Sequence, residues 1–217
     1  MVDAPRILQQ VEALSESAMQ VLSAKNAARE AALGRCRDAI RNSANAIRAV
    51  HRGEFDLAET LLREATQTAQ SLREGLADHP DLLFAGYTQD ALKEYAEAAL
   101  VYAFLHGDAP PSAAMLHVDS AAYLNGLAEA ASELRRAILD GLRHGQVARG
   151  EALLTIMDDV YSMLVTVDFP DAITGGLRRT TDALRAVLER TRGDMTAAIR
   201  QEQLTAALAA FEDKIGG

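Results

Sequence analysis

Four glutamates have the spacing of residues that share one face of a helix. Glu94 and Glu97 are three positions apart, so both side chains would project from the same side. Glu129 and Glu133 are four positions apart and form a second pair of this kind. Hard divalent cations prefer carboxylate oxygens, and such a cation can activate water and stabilise phosphoryl charge. The two pairs therefore indicate a site for Mg²⁺ or Mn²⁺.

The first pair lies in a stretch with very few polar side chains. Residues 91–105 read ALKEYAEAALVYAFL, and their charged members are Lys93, Glu94 and Glu97 alone. A helix that is apolar on all sides is usually enclosed by protein. Carboxylates in such a place are costly unless they are paired, hydrogen-bonded or bound to a cation. A cation would also relieve the repulsion between the two glutamates.

An ordinary surface explanation remains open for both pairs, since glutamates at helical spacing are common on solvated faces. It is strongest for the second pair, because Arg136 follows Glu133 by three positions and could form an ion pair with it. Spacing alone therefore favours a metal site mainly at Glu94 and Glu97.

A second set of residues could contact phosphate groups. Arginines recur along one stripe of the predicted first helix, and between positions 35 and 52 the only acidic residue is Asp38. The net charge of −9 does not favour nucleic-acid binding, but a local basic stripe on an acidic protein can still provide it. The alternative is a solvated face with intrahelical ion pairs. The predicted RNA-binding residues are Arg35, Arg37, Arg41, Arg48 and Arg52.

The elements that must position these residues are predicted to be long helices. Hydrophobic residues make up 49% of the 217 residues and aromatic residues 5%, and Ala, Leu, Arg and Glu dominate. These residues favour helix, so we expect one all-α domain over residues 1–217. Gly34 is a potential weak point in the first helix. Apolar periodicity and helix-breaking residues predict seven helices, at about 4–53, 54–77, 81–105, 119–142, 149–167, 170–190 and 195–215.

Other classes of protein have little support in the sequence. Cys36 is the single cysteine, which fits a reducing compartment, and neither a signal peptide nor an apolar run of about 18 residues is present. We therefore expect a cytoplasmic protein without a membrane span. Walker and Gly-x-Ser-x-Gly motifs are also missing from the sequence, so neither a nucleotide loop nor a serine hydrolase is indicated.

Four segments together resemble the translin superfamily, specifically its translin-associated factor X (TRAX) branch. KEYAEA at 93–98 resembles that branch's QEYVEA, and GLAEAASELRR at 126–136 resembles its GVADLTGELMR. AIRAVHRGEF at 46–55 and DFPDAITGGLRR at 168–179 resemble segments of the family's archaeal and bacterial members. Their order and spacing are more specific than any single motif.

This resemblance implies a fold, an activity and a site. It implies a translin-type α-α bundle of seven helices with a long N-terminal helix, assembled as a homo-oligomer, often an octamer, that binds single-stranded RNA or single-stranded DNA. The TRAX branch implies a Mg²⁺- or Mn²⁺-dependent endoribonuclease. Glu94, Glu97 and Glu133 match its metal-binding glutamates. Glu129 stands where the branch has Asp, as a ligand or general base.

Two other functions remain open. One is a translin-like protein that binds single-stranded RNA or DNA without cutting it. The other is an all-α nucleotide pyrophosphohydrolase, which also uses helical carboxylates and Mg²⁺. Enzymes of that type show a Glu-Glu-x-x-Glu run followed by Glu-x-x-Asp, and the present sequence lacks both.

Overall fold

The computed structural model of the protein describes residues 3–215, and the regular structure in this range is helical throughout. Six helices are long and three are single turns. They are α1 (Ala4–His51), α2 (Phe55–Gly75), α3 (Pro80–Leu83), α4 (Gly86–His106), α5 (Ala113–Leu116), α6 (Ser120–Leu142), α7 (Val147–Leu164), α8 (Asp171–Thr174) and α9 (Leu177–Ile215).

The predicted all-α fold with a long N-terminal helix is confirmed. The predicted boundaries near the C-terminus are partly wrong. Pro170 precedes only the single turn α8, and Gly175 and Gly176 then separate α8 from α9 with positive φ angles of 61° and 83°. Gly193 and Asp194 lie inside α9, because a single glycine costs a helix only about 1 kcal/mol and the packing on either side continues.

The first helix begins and ends as its sequence predicts. Asp3 accepts a hydrogen bond from the backbone N–H of Arg6 at 3.4 Å, and a proline occupies the first turn, where its missing N–H has no cost. The helix passes through Gly34 without interruption. It stops before Gly53, whose φ of +75° is the left-handed conformation that a helix C-terminus often requires.

The core has α4 and α6 at its centre, and small residues let these two helices approach closely. Gly126 on α6 is the tightest point. A Cβ atom there would lie 2.8 Å from the carbonyl oxygen of Lys93 and 3.1 Å from the backbone nitrogen of Glu97. Helix α6 also packs against α7 and α9, while α1 packs against α2 and α4. The glycine therefore fixes the distance between the two helices that carry the predicted glutamates.

Both long terminal helices extend beyond the core. Residues 4–24 of α1 and 200–215 of α9 are exposed along their whole length. We call these segments the α1 arm and the α9 arm. Each carries apolar side chains that face solvent, among them Ile7, Val11, Leu14, Leu204, Leu208 and Phe211. Among the helices of residues 3–215, none is both long enough and apolar enough to cross a membrane.

Candidate metal centre

Helices α4 and α6 bring three of the four predicted glutamates together. Glu94, Glu97 and Glu129 each offer one carboxylate oxygen, and these three atoms lie within 4.8 Å of one another. Two of the three come from α4 and one comes from α6, so the close crossing at Gly126 assembles the group. Such a convergence of oxygen ligands could hold one divalent cation.

Glu97 is the innermost member of the group. Only 9% of the residue is exposed, and the pKa of its carboxyl is raised from 4.5 to about 8. Burial is the main cause, the nearby carboxylates of Glu94, Glu129 and Glu133 add to it, and Lys93 only partly offsets them. The site is therefore short of positive charge, which is the condition that a bound cation would correct.

Lys93 supplies the one ammonium group that lies among these carboxylates in the described part of the chain. Its Nζ atom donates to Glu129 Oε1 at 2.8 Å and lies 2.7 Å from Oε2 of the same residue. Glu94 Oε1 is 3.3 Å away. These contacts raise the pKa of Lys93 although burial opposes the rise, so the side chain is charged. Lys93 acts as a counter-ion for the group.

Glu133 has a different partner from the one that the sequence suggested. Its Oε2 atom lies 2.8 Å from Nε2 of His51, whose side chain is only 1% exposed. The hydrogen bond from His51 is the main reason that the pKa of Glu133 is lowered. Arg136 contributes only a weaker attraction and makes no ion pair with Glu133 among the described residues. His51 therefore holds Glu133 against the C-terminal end of α1.

The three glutamates that converge are not the three that were predicted to hold the metal. Glu129, the residue that departs from the family motif, lies inside the group of three, whereas Glu133 lies beside it and interacts with Glu97 at longer range. Neither Lys93 nor His51 was predicted to belong to the site. Signals for both were present: a lone lysine on an otherwise apolar helix, and a histidine within the arginine stripe.

Four of the five predicted RNA-binding arginines lie on α1 and the fifth, Arg52, caps its C-terminus, but they differ in how free they are. Arg37 is exposed and forms no ion pair with the described residues. Arg41 pairs with Asp38 at 2.9 Å, and Arg48 donates to the side chain of Asn45 at 2.7 Å. Arg52 donates hydrogen bonds to the carboxylate of Glu54, and the guanidinium of Arg35 packs over Gly75. Intrahelical and local pairing thus accounts for part of the stripe.

Comparison with known proteins shows which family the chain belongs to. An uncharacterised protein of Methanocaldococcus jannaschii is 30% identical over 84% of this chain and 82% of its own length. The crystal structure of AfC3PO is 32% identical over 86% of this chain and 97% of that chain, with a TM-score of 0.78. The chain belongs to the translin superfamily. AfC3PO in complex with duplex RNA gives 31% identity, 86% and 96% coverage, and a TM-score of 0.79.

A solved structure with lower sequence identity to this translin-family chain shows the same fold. NeC3PO without ligand is 20% identical over 91% of this chain and 98% of that chain, with a TM-score of 0.75. No protein-family model matches the sequence. The family prediction made from the four sequence segments is confirmed.

Proposed function

We propose that this translin-family chain is a metal-dependent endoribonuclease that hydrolyses phosphodiester bonds of single-stranded RNA within an oligomeric shell. The observation that carries the proposal is the convergence of Glu94, Glu97 and Glu129, with the most buried carboxyl held neutral near pH 7. A purely structural cluster would gain nothing from a buried glutamate with three like charges around it. We further propose that the chain acts as a single helical domain.

The oxygen-only ligand set fits Mg²⁺ or Mn²⁺. Glu94 and Glu97 would hold the ion from α4 and Glu129 from α6, and Glu133 would complete the site from its position beside His51. A bound ion of this kind supplies an activated water and neutralises developing charge on the phosphate. The protein supplies the orientation, since Gly126 sets the helix spacing and His51 fixes Glu133.

RNA as the substrate is supported by two observations. AfC3PO, about one-third identical to this chain, has been solved with duplex RNA. On the α1 stripe, Arg37 has no ion-pair partner within residues 3–215, and Arg41 and Arg48 are exposed. Such side chains suit contacts with a phosphate backbone. Single-stranded DNA presents the same phosphates and is a second ligand.

Assembly is supported by the two arms. The α1 arm and the α9 arm present exposed apolar side chains that the described residues of the same chain do not cover. Contiguous exposed apolar surface usually marks a protein–protein contact. We propose that these arms pack against other copies of the chain and that the assembly is an octamer in the cytoplasm.

The test is cleavage of a fluorescently labelled single-stranded RNA with Mg²⁺ or Mn²⁺, compared with the same reaction in EDTA. Glu97→Gln is expected to reduce the cleavage rate by about two orders of magnitude or more, because it removes one of the three carboxyl groups that would hold the ion. Glu151→Gln, an exposed glutamate on α7, is the matched control and should cleave normally. Equal cleavage by the Glu97→Gln and Glu151→Gln variants would contradict the proposal.

A non-catalytic single-stranded RNA- or DNA-binding protein is the second candidate, and Lys93 is the observation that favours it. Its ammonium group already neutralises Glu129 and could replace a metal altogether. This candidate predicts RNA binding that weakens steeply with salt and is indifferent to EDTA, with no cleavage under any metal.

A further inference from the structure

We propose that a cavity beside the glutamates binds one unpaired base of the RNA strand. The inference rests on the proposed function, because it places the neighbouring phosphate at the carboxylates. The cavity has a volume of about 490 Å³ and lies between the N-terminal halves of α4 and α6 and the segment from α8 into α9. Lys93 and Glu129 form part of its wall, so the cavity and the candidate metal centre are continuous.

The size of the cavity suits one nucleotide. Pockets that take small organic ligands span about 300–1,000 Å³, and this cavity lies within that range. It is too small for a base pair with both its sugars. Its charged lining residues are mixed in sign, with Arg179 and Lys93 set against Asp90, Asp119 and Glu129. A mixed lining of this kind suits a neutral base better than a run of phosphates.

Two exposed apolar side chains belong to this cavity. Phe84 follows α3 and is 62% exposed, and Ile173 on α8 is 66% exposed. Both line the cavity, although neither is needed to fill the core. An aromatic ring that is free on one side is the usual platform on which an unpaired base stacks. Phe84 provides the platform and Ile173 provides a second apolar surface.

The cavity also has polar side chains that could hydrogen-bond to the bound nucleotide. The carboxylate of Asp90 is exposed and forms no ion pair with the described residues, so it can accept from the N–H groups of a base. Arg179, from α9, is also exposed and without a carboxylate within 4.0 Å in the described part of the chain. Its guanidinium offers a contact for a phosphate of the bound nucleotide.

The floor of the cavity is held rigidly by Asn125. Its amide nitrogen donates to the carbonyl of Thr174 at 2.8 Å and to that of Ala121 at 2.9 Å. Its side-chain oxygen accepts from the hydroxyl of Thr180 at 2.7 Å. These bonds tie α6 to α8 and α9, so the cavity exists before the base arrives, and little free energy is lost in forming it.

An unpaired base follows from this geometry as the ligand class. A base within a duplex is paired on one edge and stacked on both faces, so neither Phe84 nor Asp90 could reach it without unpairing it. Only an unpaired nucleotide can therefore enter the cavity next to the carboxylates. This gives the site a physical reason to act on single-stranded RNA.

The experiment measures RNA binding in EDTA with the Glu97→Gln protein, so that neither cleavage nor metal binding enters the result. The probe is a single-stranded RNA oligonucleotide containing 2-aminopurine, whose fluorescence falls when the base stacks on an aromatic ring. Phe84→Ala, added to Glu97→Gln, is expected to raise Kd about fivefold or more and to abolish part of the quenching. Phe169→Ala in the same background is the matched control, since Phe169 is 64% exposed and lies outside this cavity.

Ile173→Ala provides an independent variant on another element, with a smaller loss of affinity expected. Unchanged Kd and quenching in both the Phe84→Ala and Ile173→Ala proteins would overturn the inference. A change in the assembly mass of Phe84→Ala by light scattering would also overturn it, because the ring would then belong to a contact between copies. Absence of Mg²⁺-dependent cleavage in the unaltered protein contradicts the proposed nuclease activity and leaves this binding result readable.

Discussion

The ammonium nitrogen of Lys93 lies within 2.8 Å of both carboxylate oxygens of Glu129, inside the group that could hold a metal ion. A divalent cation bound by Glu129 must compete with this lysine for the same oxygens. Removing the lysine charge while keeping a polar side chain should therefore favour the metal.

We expect Lys93→Gln to bind Mn²⁺ several-fold more tightly than the unaltered protein. A tenfold change would correspond to about 1.4 kcal/mol. Isothermal titration or the electron paramagnetic resonance of free Mn²⁺ measures the affinity. Lys25→Gln is the control, since Lys25 pairs with Asp81, which is not one of the glutamates of the group. Unchanged or weaker binding by Lys93→Gln would show that the lysine does not compete with the ion.

Glu97 should make the metal-free protein less stable as the pH rises. Its pKa is about 8 in the folded chain against 4.5 as the ordinary value, so the folded state holds more protons between these pH values. The free energy of unfolding therefore falls from about pH 4.5 to pH 8 and is unaffected by this group below pH 4.

Glu97→Gln removes this dependence. In EDTA we expect the variant to equal the unaltered protein at pH 4 and to be more stable at pH 8, as measured by urea denaturation. Glu151→Gln, whose parent carboxylate is exposed, should show no such gain. A Glu97→Gln protein that is less stable than its parent at pH 8 would contradict a raised pKa.

His51 should contribute to stability through Glu133. The histidine side chain is almost fully buried, and its Nε2 atom lies 2.8 Å from a Glu133 oxygen. His51→Ala leaves a small cavity and an unpartnered carboxylate, so a loss of about 1–3 kcal/mol is expected in chemical denaturation. His144→Ala, on an exposed loop, serves as the comparison and should change stability little. The pKa of Glu133 should rise in the His51→Ala protein, because the hydrogen bond that lowers it is gone.

Two glycines provide a matched test of the helix crossing. A Cβ at Gly126 would meet the backbone of α4 at 2.8 Å, so Gly126→Ala must push α4 and α6 apart. We expect a loss of about 1–3 kcal/mol in stability together with weaker Mn²⁺ binding. Gly34→Ala, within α1 and with open space around it, should instead stabilise the protein by about 0.5–1 kcal/mol. Similar effects of the two substitutions would refute the role given to the crossing.

Much of the fold was predictable because it depends on local periodicity. The long first helix, its cap at Asp3 and its end at Gly53 follow from short sequence patterns. The continuity of α9 through Gly193 did not follow, since a weak helix position is overridden by packing of the residues on either side. The turn α3 was also missed, because four residues carry too little periodicity to separate it from α4.

The candidate site was predictable only in part. Shared faces on α4 and α6 follow from spacing, but which glutamates meet depends on the helix crossing, and that crossing depends on one glycine. The residues that pair with Glu129 and Glu133 lie far from them in the sequence, so spacing could not predict these pairs. Lys93 adjoins Glu94 in sequence, yet it interacts most closely with Glu129, and His51 reaches Glu133 from 82 positions away.

The 48 residues of α1 join the α1 arm to His51 without a break, over about 70 Å at 1.5 Å per residue. Because a helix turns about 100° per residue, one inserted residue in the middle of α1 would rotate the apolar stripe of the arm by that angle relative to His51. Seven inserted residues would nearly restore the alignment. The number of residues between the arm and His51 therefore sets the angle between them around the helix axis. The length of α1 can change only in steps that return its two ends to the same relative orientation.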